Sequence, residues 1–366
     1  MTGIQWMQFD ILERFMTDVF VGVGVPLADA KVCAAVLIAA DKRGIDSHGI
    51  SRLKSFYYDR IKQGVQQAAT NFEIVKDGMS TAVVDGHHGM GQVIAERAMG
   101  MAITRAEIYG IGMVAVRNST HYGIAGYYVM QAAAKGMIGI SGTNARPSVA
   151  PTFGVENMLG TNPLVFGMPT DEEFPFVIDC ATSISQRGKI EVYARLGKSL
   201  PQGWAINRQG IPVTDANAAL EGLTNGTCAL TPLGGIGEET AGYKGYGYAT
   251  VVEILSAALQ GGAFLHMLSG IANGKKVPPQ LGHFFIAIDV SAFTELKKFK
   301  KTTGEILRQL RASKKAPSEG RIYTAGEKEY LAWLERKGKG APIDEGLRKE
   351  IQIMRNELKL GDYGVF

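Results

Sequence analysis

An α+β fold is what this sequence predicts, a mixed body joined to a helical part that both chain ends build. Three observations predict it. Apolar residues fall at helical spacing through the first seventy or so positions, and from Thr81 short β-prone runs alternate with helical stretches. A Lys-, Pro- and Ser-rich linker at 313–320 then lets the last helical patterns fold back on the first. The expected division is 1–75 with 321–366 as the helical domain and 76–320 as the α+β domain.

Taken in order, 28–40 places Val32, Val36, Leu37 and Ala40 on one stripe, and Leu53, Phe56, Tyr57 and Ile61 repeat that spacing after Ser51. Strands are expected at 81–84, 113–116, 138–140 and 176–178, with a helix over 94–106. The most apolar window, 251–272, is broken by Glu253, Gly261, Gly262 and His266, so it reads as a buried helix and a turn rather than a membrane span. Helical patterns return around 330–334 and 347–358.

Composition narrows the function classes. With 366 residues, 46% hydrophobic and 20% charged, the chain is an ordinary globular protein of more than one core. A net charge of +4 is too small to imply nucleic acid, and the basic excess of 297–359 is interleaved with acids, which favours a solvated helical face over an RNA-binding tail. A small charged metabolite is the expected partner. Cys33, Cys180 and Cys228 form no CxxC pair and no export signal opens the chain, so it reads as cytoplasmic, with neither membrane nor metal expected.

Five polar constellations carry possible chemistry. Gly89-Met90-Gly91 follows a strand and opens a helix, but an alanine stands where the third glycine of a dinucleotide loop belongs, and no GxxxxGK[ST] loop exists. In Asp46-Ser47-His48-Gly49-Ile50-Ser51-Arg52, a helix would put His48 and Arg52 on one face, an imidazole for proton transfer beside a guanidinium that clamps a carboxylate. The plainer alternative is a helix capped by Asp46 or Ser47, with His48 and Arg52 exposed. The loop from Arg117 to Gly126 offers His121 to a substrate and backbone amides to a phosphate, or else a mere surface histidine. Gly160-Thr161-Asn162-Pro163 precedes Asp179-Cys180-Ala181-Thr182-Ser183 and Lys189; Asp179 either sets an imidazole tautomer or caps the helix that follows. Tyr243-Lys244-Gly245 either meets a phosphate or makes a tight turn. Serine acyl transfer lacks a GxSxG elbow and metal hydrolysis lacks HExxH spacing.

Together, Ser47-His48-Gly49-Ile50 with Arg52, His121-Tyr122-Gly123, Gly160-Thr161-Asn162-Pro163, Asp179 to Ser183, Leu200 to Ala205 and Tyr243-Lys244-Gly245 stand in the order and at about the intervals of one family. The sequence resembles the type-2 malate/L-lactate dehydrogenases over nearly its whole length. That family includes ureidoglycolate, sulfolactate, diketogulonate and cyclic-imine reductases and is distinct from the classical lactate and malate dehydrogenases.

The resemblance implies a non-Rossmann NAD(P)-binding fold with a largely antiparallel sheet, assembled as a homodimer. It implies His48 as proton donor with Ser47 and Asp179 as relay partners, or His121 in that role as in some members. Arg52, Arg146 and Thr161 would hold the substrate. His121, Tyr122, Gly123, Ile124, Ala125, Asp179, Cys180, Ala181, Lys189, Tyr243, Lys244, Gly326 and Glu327 would contact NAD, with NADP possible. Cys180 replaces the family's usual methionine and Ala325 its usual proline. The expected reaction moves a hydride between the nicotinamide and a small 2-oxo/2-hydroxy acid. Malate with oxaloacetate comes first, because two arginines suit two carboxylates. Lactate, another 2-oxo acid or a cyclic imine comes second, and a non-catalytic metabolite-binding protein is the reading from another class.

Overall fold

The computed structural model describes residues 4–364. Its centre is a seven-stranded sheet in the spatial order Glu73–Asp77, Thr81–Asp85, Ile111–Ser119, Leu281–Asp289, Met137–Thr143, Leu164–Met168 and Phe176–Cys180. One neighbouring pair, Thr81–Asp85 with Ile111–Ser119, is parallel, and the helix Gly91–Tyr109 makes the crossover between its strands. The other five pairs are antiparallel. The sheet is therefore mixed and mostly antiparallel, as the resemblance implies.

All four strands expected from the sequence are present, each somewhat longer than its β-prone run. Three other strands of this sheet were not foreseen, among them Leu281–Asp289 at the centre. Its Phe285 and Ala287 pack against the helices Gly91–Tyr109 and Gly126–Ala134, while the helix Gly242–Ala257 lies on the other face. Covered on both sides, the strand shows no apolar/polar alternation. Phe284 and Phe285 are fully buried, each worth about 1.5–3 kcal/mol of transfer free energy.

A second core joins the chain ends. Leu12, Phe15, Met16 and Val19 form the buried stripe of the helix Phe9–Gly22 and pack with Cys33 and Leu37 of Leu27–Lys42. Ile351 and Met354 of Glu345–Glu357 enter the same cluster, and Gln5–Met7 pairs antiparallel with Ala341–Ile343. A third apolar cluster, including Val149, Leu159, Ile190 and Leu230, stands apart from both. The window 251–272 holds the expected helix end and turn, but the helix is buried on one face only: Val252 and Ala257 are buried while Val251 and Ile254 are exposed, and the short helical turn Leu265–Ser269 follows. No helix among the described residues is long and apolar enough to cross a membrane.

Candidate active site

The Ser47–His48 segment is a turn, not a helix, so neither side chain caps one. Ser47 Oγ lies 2.8 Å from His48 Nδ1, and Arg52 Nε donates to the Ser47 carbonyl at 2.5 Å. Asp46, the other candidate cap, is paired with Arg336. Helical backbone resumes at Ile50. Between Leu53 and Tyr58 the turns are wide, the Asp59 amide reaching back to the Lys54 carbonyl. Such turns advance more than 3.6 residues. They bring Phe56, Tyr57 and Arg60 towards the loop from Arg117 to Gly126.

There His121 is enclosed rather than superficial. Its ring lies 6.0 Å from that of His48 at an interplanar angle of 22°, and Phe56 packs on it at 4.8 Å. Tyr57 Oη lies 2.6 Å from His121 Nδ1. Burial pushes the Tyr57 phenol far above its ordinary pKa, so the phenol keeps its proton and donates it, leaving the His121 proton on Nε2. Arg52 and Arg60 both stack on Phe56, with guanidinium carbons 4.9 and 4.5 Å from the ring centre. Arg146 is exposed, and its charge acts on Arg60. Two arginines, Arg52 and Arg60, thus stand beside the paired histidines, with the charge of Arg146 felt at Arg60, and Arg60 escaped the sequence reading.

The electrostatics follow from this crowding. Burial first, and then the Arg52 charge, lower the His48 pKa to about 4. Burial likewise holds His121 well below the ordinary imidazole range, with His48, Arg60, Arg52 and His283 adding in the same direction. Both rings are neutral at neutral pH. A bound carboxylate would neutralise Arg52 and raise the basicity of His48, so binding the anion prepares the base.

Asp179 lies at the end of Phe176–Cys180, on the wall of a cleft of about 570 Å³. Its side chain opens onto the cleft yet is surrounded by protein, and this loss of bulk solvation raises its pKa to about 6, while the Gly126 amide pulls it back. The carboxylate caps a helix, but not the one that follows it. Oδ2 accepts from the Gly126 N–H at 2.7 Å and occupies the amide that the sequence offered to a phosphate. Ile124, Gly126 and Gly326 share the cleft with Asp179, beside apolar Ile38, Met130, Phe174 and Trp333. Ile45 and Ile124 carry its wall to within three residues of His48 and His121. Volume, apolar walls and a few convergent polar groups fit a nucleotide cofactor. The Gly89–Gly91 loop does not: a Cβ on Gly91 would fall 2.4 Å from the Thr120 carbonyl oxygen, so backbone covers that helix start.

The other expected contacts divide. Tyr122 is buried and stacks on His283 at 4.4 Å, Gly123 and Ala125 are buried in the loop, and Cys180 and Ala181 follow Asp179. Lys189, on the helix Arg187–Arg195, lies over Trp204 at 4.7 Å, and Gly188 of that helix is next to Arg52. Tyr243 and Lys244 are exposed on the first turn of Gly242–Ala257, so the segment is a helix start rather than a tight turn. Glu327 is turned inward against Arg321 and the Thr324 amide, leaving Gly326 alone at the cleft.

Thr161 is half-buried, and its neighbour Asn162 points into the protein. Asn162 donates to Glu253 Oε2 at 2.7 Å and to the Ala249 carbonyl, and accepts from the Ala145 N–H. Asn162 thus braces the backbone that leads into Arg146.

Facing histidines tied to a serine and a tyrosine, flanked by arginines and adjoined by a cleft, are an arrangement suited to a 2-hydroxy acid dehydrogenase dependent on NAD(P). The chain belongs to the malate/L-lactate dehydrogenase family, whose profile residues 7–352 match. A malate dehydrogenase from Pyrococcus horikoshii is 44% identical over 93% of this chain and 92% of its own. An L-sulfolactate dehydrogenase from Methanocaldococcus jannaschii is 39% identical over 95% and 96%. The crystal structure of malate dehydrogenase from Entamoeba histolytica superposes with a TM-score of 0.95 at 43% identity, covering 98% of this chain and 99% of that one.

Proposed function

We propose that this protein interconverts malate and oxaloacetate with NAD, and that His48 is its acid–base group. The convergence of the Ser47–His48 pair with Arg52, Arg60 and His121 carries the reading. A bound nicotinamide supplies or accepts the hydride. The chain does the rest. Arg52, whose Nε is committed to Ser47, keeps its two terminal nitrogens for one substrate carboxylate. Arg60 and Arg146 stand ready for the second. The Ser47 hydroxyl serves both directions by accepting from Nδ1–H: in the imidazolium whose Nε2 gives the proton, and in the neutral ring whose bare Nε2 takes one. Asp179 fixes the start of the Gly126 helix at the cleft wall, an indirect part in place of a direct relay.

NAD is preferred to NADP in this reading because Glu13, Glu173 and Glu329 line the cleft with Asp179. Of its cations, Lys42 is 3.8 Å from Glu13 and Arg43 donates to the Ala39 carbonyl, so an extra phosphate would meet mostly like charge. The cleft also serves without a GxGxxG loop, the sense in which the fold is read as non-Rossmann. The division into 1–75 with 321–366 and 76–320 is supported by the core that joins the chain ends, and cytoplasmic residence by three unpaired cysteines. A homodimer is supported by exposed Tyr246, Ile254 and Phe264 around one apolar groove, and light scattering reads the mass directly.

The test is NADH oxidation at 340 nm with oxaloacetate, pyruvate and other 2-oxo acids, repeated with NADPH. Oxaloacetate should give the highest kcat/KM. Binding of NADH with no turnover of any acid would leave a metabolite-binding protein instead.

A further inference from the structure

Asp41, near the end of the helix Leu27–Lys42, is buried and plays no part in the chemistry above. Its carboxylate lies directly beneath the turn that carries His48. Oδ2 accepts from the Ile50 N–H at 2.9 Å. Gly49 rests on the same group so closely that a Cβ there would fall 1.9 Å from Oδ1. A side chain nine residues back in sequence therefore caps the helical turn that begins at Ile50, a task normally done by the residue before it. Arg336, from the helix Glu327–Arg336, closes the turn from outside: it donates to the Asp41 carbonyl at 2.8 Å and holds the Asp46 carboxylate.

We propose that Asp41 is the positioning residue for His48: its buried carboxyl group, pressed under Gly49 and bonded to Ile50, fixes the turn that aims the imidazole at the substrate. The inference rests on His48 being the acid–base group. Burial, opposed by the Ile50 amide, raises the Asp41 pKa to about 8; Asp46 adds to the rise and Arg336 opposes it. At neutral pH the group is a neutral acid that both fills and bonds the space under the turn. Ionisation above pH 8 would place an anion in that space, with Arg336 already held by Asp46. The aim of His48 should then loosen on the alkaline side.

The experiment measures kcat and KM for oxaloacetate from pH 5 to 10 in the wild type, Asp41→Ala, Asp41→Asn and His48→Asn, with NADH affinity followed separately by fluorescence. Asp41→Ala should lower kcat about 10- to 100-fold at pH 7, as misaiming a catalytic group does, with NADH affinity within about twofold of wild type. Asp41→Asn, which keeps the shape and the acceptor but cannot ionise, should recover most of the loss and remove the inflection near pH 8 from the kcat profile. Unchanged kcat in Asp41→Ala, or an Asp41→Asn profile that follows the wild type above pH 8, overturns the proposal. Should Asp41→Ala fail to fold, the Asp41→Asn profile decides alone. Wild-type turnover in His48→Asn would instead overturn the assignment of His48.

Discussion

Two polar, glycine-bearing loops look alike in the sequence, 46–52 and 160–163, and the fold uses them in opposite ways. The first ties His48 and Arg52 together through Ser47 beside His121 and is propped from below by Asp41. The second turns Asn162 inward, where it ties Glu253, Ala249 and Ala145 into one buried network behind Arg146. Asn162 sits at a φ of 34°, a left-handed conformation that asparagine tolerates better than most residues. A polar motif in a family thus marks a place that matters to the site without saying whether its side chains touch substrate.

Substitutions can break or sharpen that contrast. The largest effect should come from His48→Asn, which removes the proton donor and should lower kcat about 10²- to 10⁴-fold while NADH affinity holds, read by steady-state kinetics and fluorescence titration. Next, Arg52→Lys keeps the charge but loses the fork, and should cost roughly tenfold to a hundredfold in kcat/KM for oxaloacetate without altering cofactor binding. If the second loop is scaffolding, Asn162→Ala should act on stability first. It removes a donor from the buried Glu253 carboxylate, whose pKa burial has already raised, and should cost about 1–3 kcal/mol in denaturant titrations, with kcat changed less than in either variant above. A kcat loss as large as that of His48→Asn with wild-type stability would show that Asn162 meets substrate, and the contrast would fail.

The smallest effect on kcat at neutral pH is that of Asp41→Asn, which shows instead as a drift of stability with pH. Asp41 has a folded-state pKa of about 8 against an ordinary 3.8, so the folded chain holds a proton that the unfolded chain releases. Its contribution to stability is full below pH 3.8 and is lost as pH rises towards 8. Asp41→Asn should therefore melt progressively higher than the wild type across that window, by a gap that stays constant above it. A gap that instead narrows as pH rises would reverse the sign and rule out the raised pKa.

Much of this arrangement was legible in the sequence, and the rest was hidden for physical reasons. His48, Arg52, His121 and Asp179 stand in short polar segments beside apolar runs, where their chemistry is visible from residue type alone. Arg60 was hidden because the wide turns between Leu53 and Tyr58 defeat a count based on 3.6 residues per turn, and Tyr57, read only as part of an apolar stripe, gave no sign of its bond to His121. The strand Leu281–Asp289 was hidden because burial on both faces erases the alternation that identifies a strand, and because His283 interrupts its apolar run. Asp179 was rightly suspected as a cap, but its partner, Gly126, comes 53 residues earlier. Such pairings exist only once the sheet has formed.

The strand pair Gln5–Met7 with Ala341–Ile343, and the cluster that sets Phe15 and Leu37 with Ile351 and Met354, also govern the order of events during synthesis. Translation delivers the helix Phe9–Gly22 long before residues 341–354, the partners that bury its apolar stripe, leave the ribosome. Until then that helix has no complete core, while the central sheet can close as soon as residue 289 emerges. His48 rides on the part that must wait, so a nascent chain halted before residue 341 should assemble its sheet and still lack a working acid–base group.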